Sequence, residues 1–327
     1  GNFPDIQALS YFGTTEAEVL IPAGTVFRVE GCTRPHPNVL LIQLIHEPEP
    51  AVGSATQTLL LSTSNFKNLY DVAPTPQWQH ELFGVVAKLV EVFAKQHTVD
   101  VDEVSRMFSE LRAETLRDFD TSAPLNEIQL LAVKLWRSSV VLRHPDGQTT
   151  KFCGMINTAL RSDDVSLLTP AVGFVRAINT FCVTQHTPSP DGVVWPRDFV
   201  TFRGGQLPEE HRVNFFTPDV KYRVPSCLAT SSSRATAESF LRHTEPPQVL
   251  WIIRMDPDSA EHCHHVNYIS HPSDAQDNDS GEWLYPPYSV FTVMSVEWDS
   301  VGHWVVEVLA AVDNAEESEE LPLAPWS

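Results

Sequence analysis

The chain has 327 residues, 42% of them hydrophobic, and a formal net charge of −20 at pH 7 from 22 basic and 42 acidic residues. That size and apolar content predict a substantial buried core in two structural units. The negative charge repels phosphate backbones, which excludes broad nucleic-acid binding.

Residues 1–50 read as β-rich. The runs "AEVLIPAGTVFRV" and "NVLLIQLI" are β-rich and are separated by the turn-prone segment "EGCTRPHP". Residues 51–75 read as a linker, with Pro, Gly and Ser clustered in "HEPEPAVGSATQ". Residues 76–190 read as a helical lobe. In "LFGVVAKLVEVF", Leu82, Val85, Val86, Leu89 and Phe93 fall on one stripe at helical spacing, and Ile128, Leu131, Ala132 and Leu135 repeat the pattern. The segments "KFCGMINTALRS" and "AVGFVRAINTFC" supply two further amphipathic helices.

From about residue 191 to 315 the period changes to that of strands. "DFVTFRGG", "QVLWIIRM", "HHVNYI", "EWLYPPYSVFTVMSVEW" and "HWVVEVLAAV" are short β-rich runs between turn residues. One helix, "TSSSRATAESFL", interrupts them and opens on Ser/Thr capping candidates. Residues 316–327 read as an acidic, solvated and frayed tail. The chain repeats itself: "EAEVLIPAGTVFRV" near the start matches "SGEWLYPPYSVFTV" near the end. Glu18 aligns with Glu282, Pro22 with Pro286 and Phe27 with Phe291, and "NVLLIQL" aligns with "HWVVEVL".

Five cysteines, Cys32, Cys153, Cys182, Cys227 and Cys263, are scattered with no C-x-x-C pair. They point to free thiols in a reducing, intracellular compartment such as the cytoplasm. No apolar run of membrane-spanning length and no signal peptide is read, so no membrane partner is expected. In "HCHH", His262 and His264 would share one strand face, but nothing completes a zinc ligand set, and no metal is expected.

Three polar spots in the β-rich lobe are candidates for chemistry. Arg203 ends a β run and precedes Gly204 and Gly205; a guanidinium beside a close-approaching backbone suits a phosphate. Thr230 and Ser231 stand where a strand passes into a helix. Glu282 enters an apolar strand, where a carboxylate is costly unless it has a partner or a task.

The order of these residues resembles the arginine–serine–glutamate class of mono-ADP-ribosyltransferases. The resemblance spans residues 150–314 and includes "KFCGMINTALRSDD", "VTFRGG", "YRVPSCLATSSSRATAESFL" and "GEWLYPPYSVFTV". It implies an α+β fold, with a helical lobe packed on a core of two small β-sheets that form an NAD cleft. NAD is then the substrate and an acceptor protein the partner. Arg203 and Gly204 would hold the phosphates, and Thr230 and Ser231 would support the nicotinamide ribose. Glu282 would bind the ribose 2′-hydroxyl and stabilise the oxocarbenium-like cation as nicotinamide leaves. The segment His271–Gly281, with Asp279 and Ser280, would face the protein substrate.

The sequence departs from that pattern twice. Ala229 replaces the first hydroxyl of the Ser/Thr motif, and Ser280 replaces a second glutamate that would activate an arginine acceptor. Two alternatives therefore stand beside protein modification: NAD glycohydrolysis, and a catalytically degraded interaction module. The N-terminal copy keeps both acids, Glu16 and Glu18, and reads as the tail of a preceding repeat. Ser62-Thr63-Ser64 in "LLLSTSN" reads as an ordinary turn.

Overall fold

The computed structural model describes residues 27–36, 39–46, 60–72, 82–117, 127–183, 195–207, 216–242, 247–256, 263–269, 281–300 and 302–324. Glu16, Glu18, Pro22, His262, Asp279 and Ser280 lie outside them. The chain divides into two units, Gly1–Thr58 and Leu59–Ser327.

The described part of the first unit is an antiparallel hairpin of β1 (Phe27–His36) and β2 (Val39–His46). Its register shifts between Val29 and Gly31. The C-terminal hairpin of the second unit, β11 (Ser289–Trp298) with β12 (Trp304–Ala310), shifts between Val293 and Ser295. Aligning Phe27 with Phe291 brings these two shifts to matching positions.

The second unit opens on a short helix, α1 (Asn65–Tyr70), within the stretch expected to be a linker. Its first turn is secured twice. The Ser64 hydroxyl accepts from the Lys67 amide at 3.1 Å. The Asp163 carboxylate accepts from the amides of Asn65 and Phe66 at 2.7 and 2.9 Å. Asp163 itself has φ 50°, in the left-handed region that ends a helix. The last hydroxyl of Ser62-Thr63-Ser64 is thus a helix cap.

Four longer helices follow the expected stripes: α2 (Leu82–Gln96), α4 (Glu127–Arg137), α5 (Phe152–Ser162) and α6 (Val165–Cys182). A fifth, α3 (Val101–Leu116), starts at Asp100, whose carboxylate accepts from the Asp102 amide. A short hairpin, β3 (Val141–Arg143) with β4 (Thr149–Lys151), interrupts the helices and leads directly into α5. The expectation of no membrane-length apolar run needs correction. α6 has 18 residues and a mean hydropathy of 1.3, enough by length and composition to cross a membrane. Its apolar surface is instead spent on the core, where Leu168, Phe174, Val175 and Ile178 are fully buried.

The β-rich part is one hydrogen-bonded sheet in the order β6-β11-β12-β8-β5-β7-β10-β9. Its remaining strands are β5 (Val200–Gln206), β6 (Lys221–Val224), β7 (Leu228–Ser231), β8 (Gln248–Arg254), β9 (Asn267–Tyr268) and β10 (Glu282–Tyr285). β5 joins β7 through one residue pair, Phe202 with Ser231. The two small sheets expected from the sequence are the portions on either side of this pair. Helix α7 (Arg234–Leu241) covers β5 and packs Ala237 and Leu241 against Leu250.

The acidic C-terminus is not frayed as far as residue 324, which corrects the expectation for that tail. Arg223 is only 3% exposed, and its guanidinium donates to the carbonyls of Tyr288, Asn314, Glu317 and Ser318 at 2.6–3.2 Å. The chain pairs with β6 through the Ala324 amide on the Arg223 carbonyl. A buried guanidinium needs acceptors, and this segment provides them. The sequence reading weighed only its carboxylates.

Candidate active site

The site forms where the sheet nearly parts. Ser231 is the last residue of β7, and it is paired on one side with Phe202 of β5 and on the other with Glu282 of β10. Directly paired residues point to the same face, so the Ser231 hydroxyl and the Glu282 carboxylate share one side of the sheet. The Ser231 Oγ accepts from the Ser233 amide at 3.0 Å. Its own proton stays available to a neighbouring acceptor.

Beyond the single pair β5 and β7 separate, and Arg203 spans the gap. Its Nη1 donates to the Ala229 carbonyl at 2.7 Å. A cavity of about 490 Å³ opens there, lined by Arg203, Gly204, Ala229, Thr230, Ser231 and Glu282, with Phe202 and Phe240 as its aromatic walls. The structure therefore brings together Arg203, Gly204, Thr230, Ser231 and Glu282, all singled out from the sequence.

Their individual uses are more specific than the sequence shows. The Thr230 hydroxyl donates to the Trp283 carbonyl at 3.2 Å and ties β7 to β10. Ser233 caps α7 by accepting from the Thr236 amide. Gly204 is demanded by packing: a Cβ there would lie 2.1 Å from the Ala237 carbonyl oxygen. Its lack of a side chain lets α7 approach β5.

The electrostatics are those of charges held away from water. Burial, and secondarily the Arg161 guanidinium, hold Arg203 below the usual arginine value, while Glu282 acts in the opposite sense. Burial pushes Glu282 above the usual carboxylate value, and Arg137, Lys151 and Arg203 oppose that rise.

Sequence reasoning did not single out the residues that the helical lobe brings to the site: Arg137, Lys151, Asn157 and Arg161. Asn157 and Arg161 are four residues apart on α5, the spacing of side chains on one helix face. Asn157 both donates to the Cys227 carbonyl (3.1 Å) and accepts from the Cys227 amide (3.0 Å). It locks α5 onto the approach to β7. That spacing within "INTALR" was the available signal.

Among the other candidates, His265 bonds to Asp313 at 2.8 Å. Among the described residues Cys153, Cys182, Cys227 and Cys263 are not joined in disulfides.

No family model and no curated protein matches the sequence. Solved structures do. The ADP-ribosyltransferase HopU1 of Pseudomonas syringae is 16% identical, with 73% of this chain and 98% of that chain covered and a TM-score of 0.42. The Clostridium limosum C3 exoenzyme is 13% identical, covering 65% of this chain and 95% of that one at a TM-score of 0.37. Exoenzyme S from Pseudomonas aeruginosa, solved bound to carba-NAD, is 11% identical, covering 70% and 92% at 0.38. The chain is similar to bacterial ADP-ribosyltransferases.

Proposed function

We propose that the chain is an NAD-dependent mono-ADP-ribosyltransferase. The observation that carries this reading is the convergence of Arg203, Ser231 and Glu282, distant in sequence, on one cavity at the parting of the sheet. Its volume is in the range of small-molecule sites, about 300–1,000 Å³.

NAD fits the chemistry of this donor set. A dinucleotide carries a diphosphate at its middle and a cationic pyridinium at one end. Arg203, with Arg161 near it, offers guanidinium groups to the diphosphate. Glu282 offers a negative charge where the ribose becomes cationic. Ser231 can donate to that carboxylate and fix its orientation. As the bond between C1′ and nicotinamide breaks, its electron pair leaves with the nicotinamide nitrogen. Positive charge then builds on the ribose, and the fixed Glu282 carboxylate stabilises it. Attack at C1′ by a protein side chain gives transfer; attack by water gives glycohydrolysis.

The test is nicotinamide release from NAD by the wild type and by Glu282→Gln. Loss of an electrostatic stabiliser of this kind lowers turnover by about 10²–10³-fold. A Glu282→Gln variant that retains wild-type release would reject the reading.

A second reading, a non-catalytic module, draws on two features of the cavity. Ala229 lines it without a hydroxyl, and the Ser231 oxygen is already engaged by the Ser233 amide. It predicts an intact fold with no nicotinamide release, and calorimetric titration with NAD then tells a binding module from one without NAD affinity.

A further inference from the structure

Glu282 opens β10, and its main chain is held from outside the cavity. The Glu282 carbonyl accepts from the Ile269 amide at 2.9 Å, just past β9. The Gly281 carbonyl accepts twice from Ser232, from its amide at 2.9 Å and from its hydroxyl at 3.3 Å. Gly281 and Trp283 are two residues apart and lie on the side of the strand opposite Glu282. On that side Tyr268 of β9 is paired with Trp283, and the two rings meet edge to face with centroids 5.3 Å apart. The Tyr268 ring also fills the space beside residue 281. A Cβ there would stand 2.5 Å from its Cε2 and 3.3 Å from the Ser232 Oγ. A glycine lets the ring come this close. β9 is fixed in its turn. Asn267 donates to the Phe181 carbonyl at the end of α6, and its own Oδ1 accepts from the Tyr268 amide, both at 2.8 Å.

We propose that Ser232 and Tyr268 are positioning residues for Glu282. Ser232 holds Gly281 by its carbonyl, Tyr268 backs it on the far side, and together they set where the next residue presents its carboxylate. Both act through the main chain, and neither lines the cavity. The proposal rests on the transferase reading, which gives the carboxylate its task. A fixed charge stabilises a transition state only where the opposite charge develops, and a displacement of about 1 Å can cost about 10²-fold in rate. In the mechanism proposed above Ser231 orients the carboxylate itself. Ser232 and Tyr268 fix the backbone that carries it. Arg203 and Gly204 stand on β5 and not on this clamp, so NAD binding should survive changes to it.

The experiment measures kcat and KM for nicotinamide release from NAD, well below the unfolding temperature of each variant. Gly281→Ala sets a methyl group against the Tyr268 ring and should lower kcat about 10²-fold with KM little changed. Tyr268→Ala removes the backing and should lower kcat about tenfold; Tyr268→Phe, which keeps the ring, should recover most of that loss. The double variant Gly281→Ala/Tyr268→Ala gives the methyl group room, so its kcat should exceed that of Gly281→Ala alone, a coupling that independent sites do not show. Ser232→Ala, which keeps the amide bond, should lower kcat about threefold, and Ser232→Thr should restore it. An unchanged kcat in Gly281→Ala, a loss confined to KM, or a double variant no faster than Gly281→Ala would each overturn the positioning role and leave the transferase reading standing. If Gly281→Ala does not fold, unchanged kcat in Tyr268→Ala and Ser232→Ala overturns it instead. A wild type that releases no nicotinamide removes the transferase reading, and this proposal with it.

Discussion

Ser231 and Glu282 face each other as a directly paired position of β7 and β10. The relationship gives each residue a distinct expected phenotype. In the proposed mechanism Glu282 bears the charge and Ser231 orients it; the Ser231 hydroxyl also closes the turn into α7 by accepting from the Ser233 amide. Ser231→Ala should lower the kcat of nicotinamide release about tenfold, the scale of one lost hydrogen bond to a charged group, with little change in NAD affinity. Steady-state kinetics with parallel calorimetry separates the two. A loss confined to affinity would mean that the hydroxyl contacts NAD and does not orient the carboxylate.

The raised Glu282 pKa makes a pH prediction. Burial favours its neutral form, so the folded chain holds this proton more tightly than the unfolded one, whose value is the ordinary 4.5. The contribution to stability is then fully present below 4.5 and is lost as pH rises through the higher folded value. Glu282→Gln should therefore gain thermal stability relative to wild type as pH rises through that window. Activity needs the ionised form, so the acid limb of kcat should have its midpoint above 4.5. Lys151→Gln, which removes an opposing cation, should move that midpoint higher. A wild-type limb at or below 4.5 would contradict the assignment of Glu282 as the working carboxylate.

Much of this site was legible in the sequence because its residues sit at element boundaries, where local pattern is strongest. Arg203 before two glycines, hydroxyls at a strand-to-helix junction and an acid opening an apolar strand are all local signals. What was not legible depends on which elements meet. Arg137 and Lys151 look like ordinary surface cations until folding brings their charge to bear on Glu282. Residues 60–72 read as linker because the amides of α1 are capped by Asp163, nearly a hundred residues away in sequence. α6 reads from the sequence as one more amphipathic helix, yet it packs against α1, α2, α4 and α5.

Gly204 offers a test of packing apart from chemistry. A Cβ at this position would meet the Ala237 carbonyl oxygen at 2.1 Å, whereas one on Gly84 in α2 would meet nothing within 4 Å. Backbone cannot swing aside as a side-chain tip can. Gly204→Ala should cost about 3 kcal/mol by forcing α7 off β5. Gly84→Ala should stabilise the chain by about 0.5 kcal/mol through helix propensity. Urea midpoints of the two variants should move in opposite directions. Equal shifts would show that α7 tolerates displacement, and the glycine would then be explained by access to the cavity.

Arg223 makes the strongest prediction about the C-terminus. The segment 313–324 carries several carboxylates, and two lysine–glutamate ion pairs hold it beside the His265–Asp313 contact: Lys221 with Glu317 at 2.7 Å and Lys67 with Glu319 at 2.6 Å. These pairs are partly exposed, and such pairs contribute about 0–1 kcal/mol each. The bonds from Arg223 are different in kind. They run from a buried guanidinium to four main-chain carbonyls, and losing the donor leaves those acceptors unmet. Arg223→Ala should cost about 3 kcal/mol in urea denaturation and open residues 313–324 to limited proteolysis. Glu317→Gln and Glu319→Gln together should change stability far less. Arg223→Lys should rescue poorly, because an ammonium cannot span carbonyls that a planar fork reaches at once. If instead the glutamine pair released the segment and Arg223→Ala did not, surface charge would be what holds it, and the guanidinium would be only a neighbour.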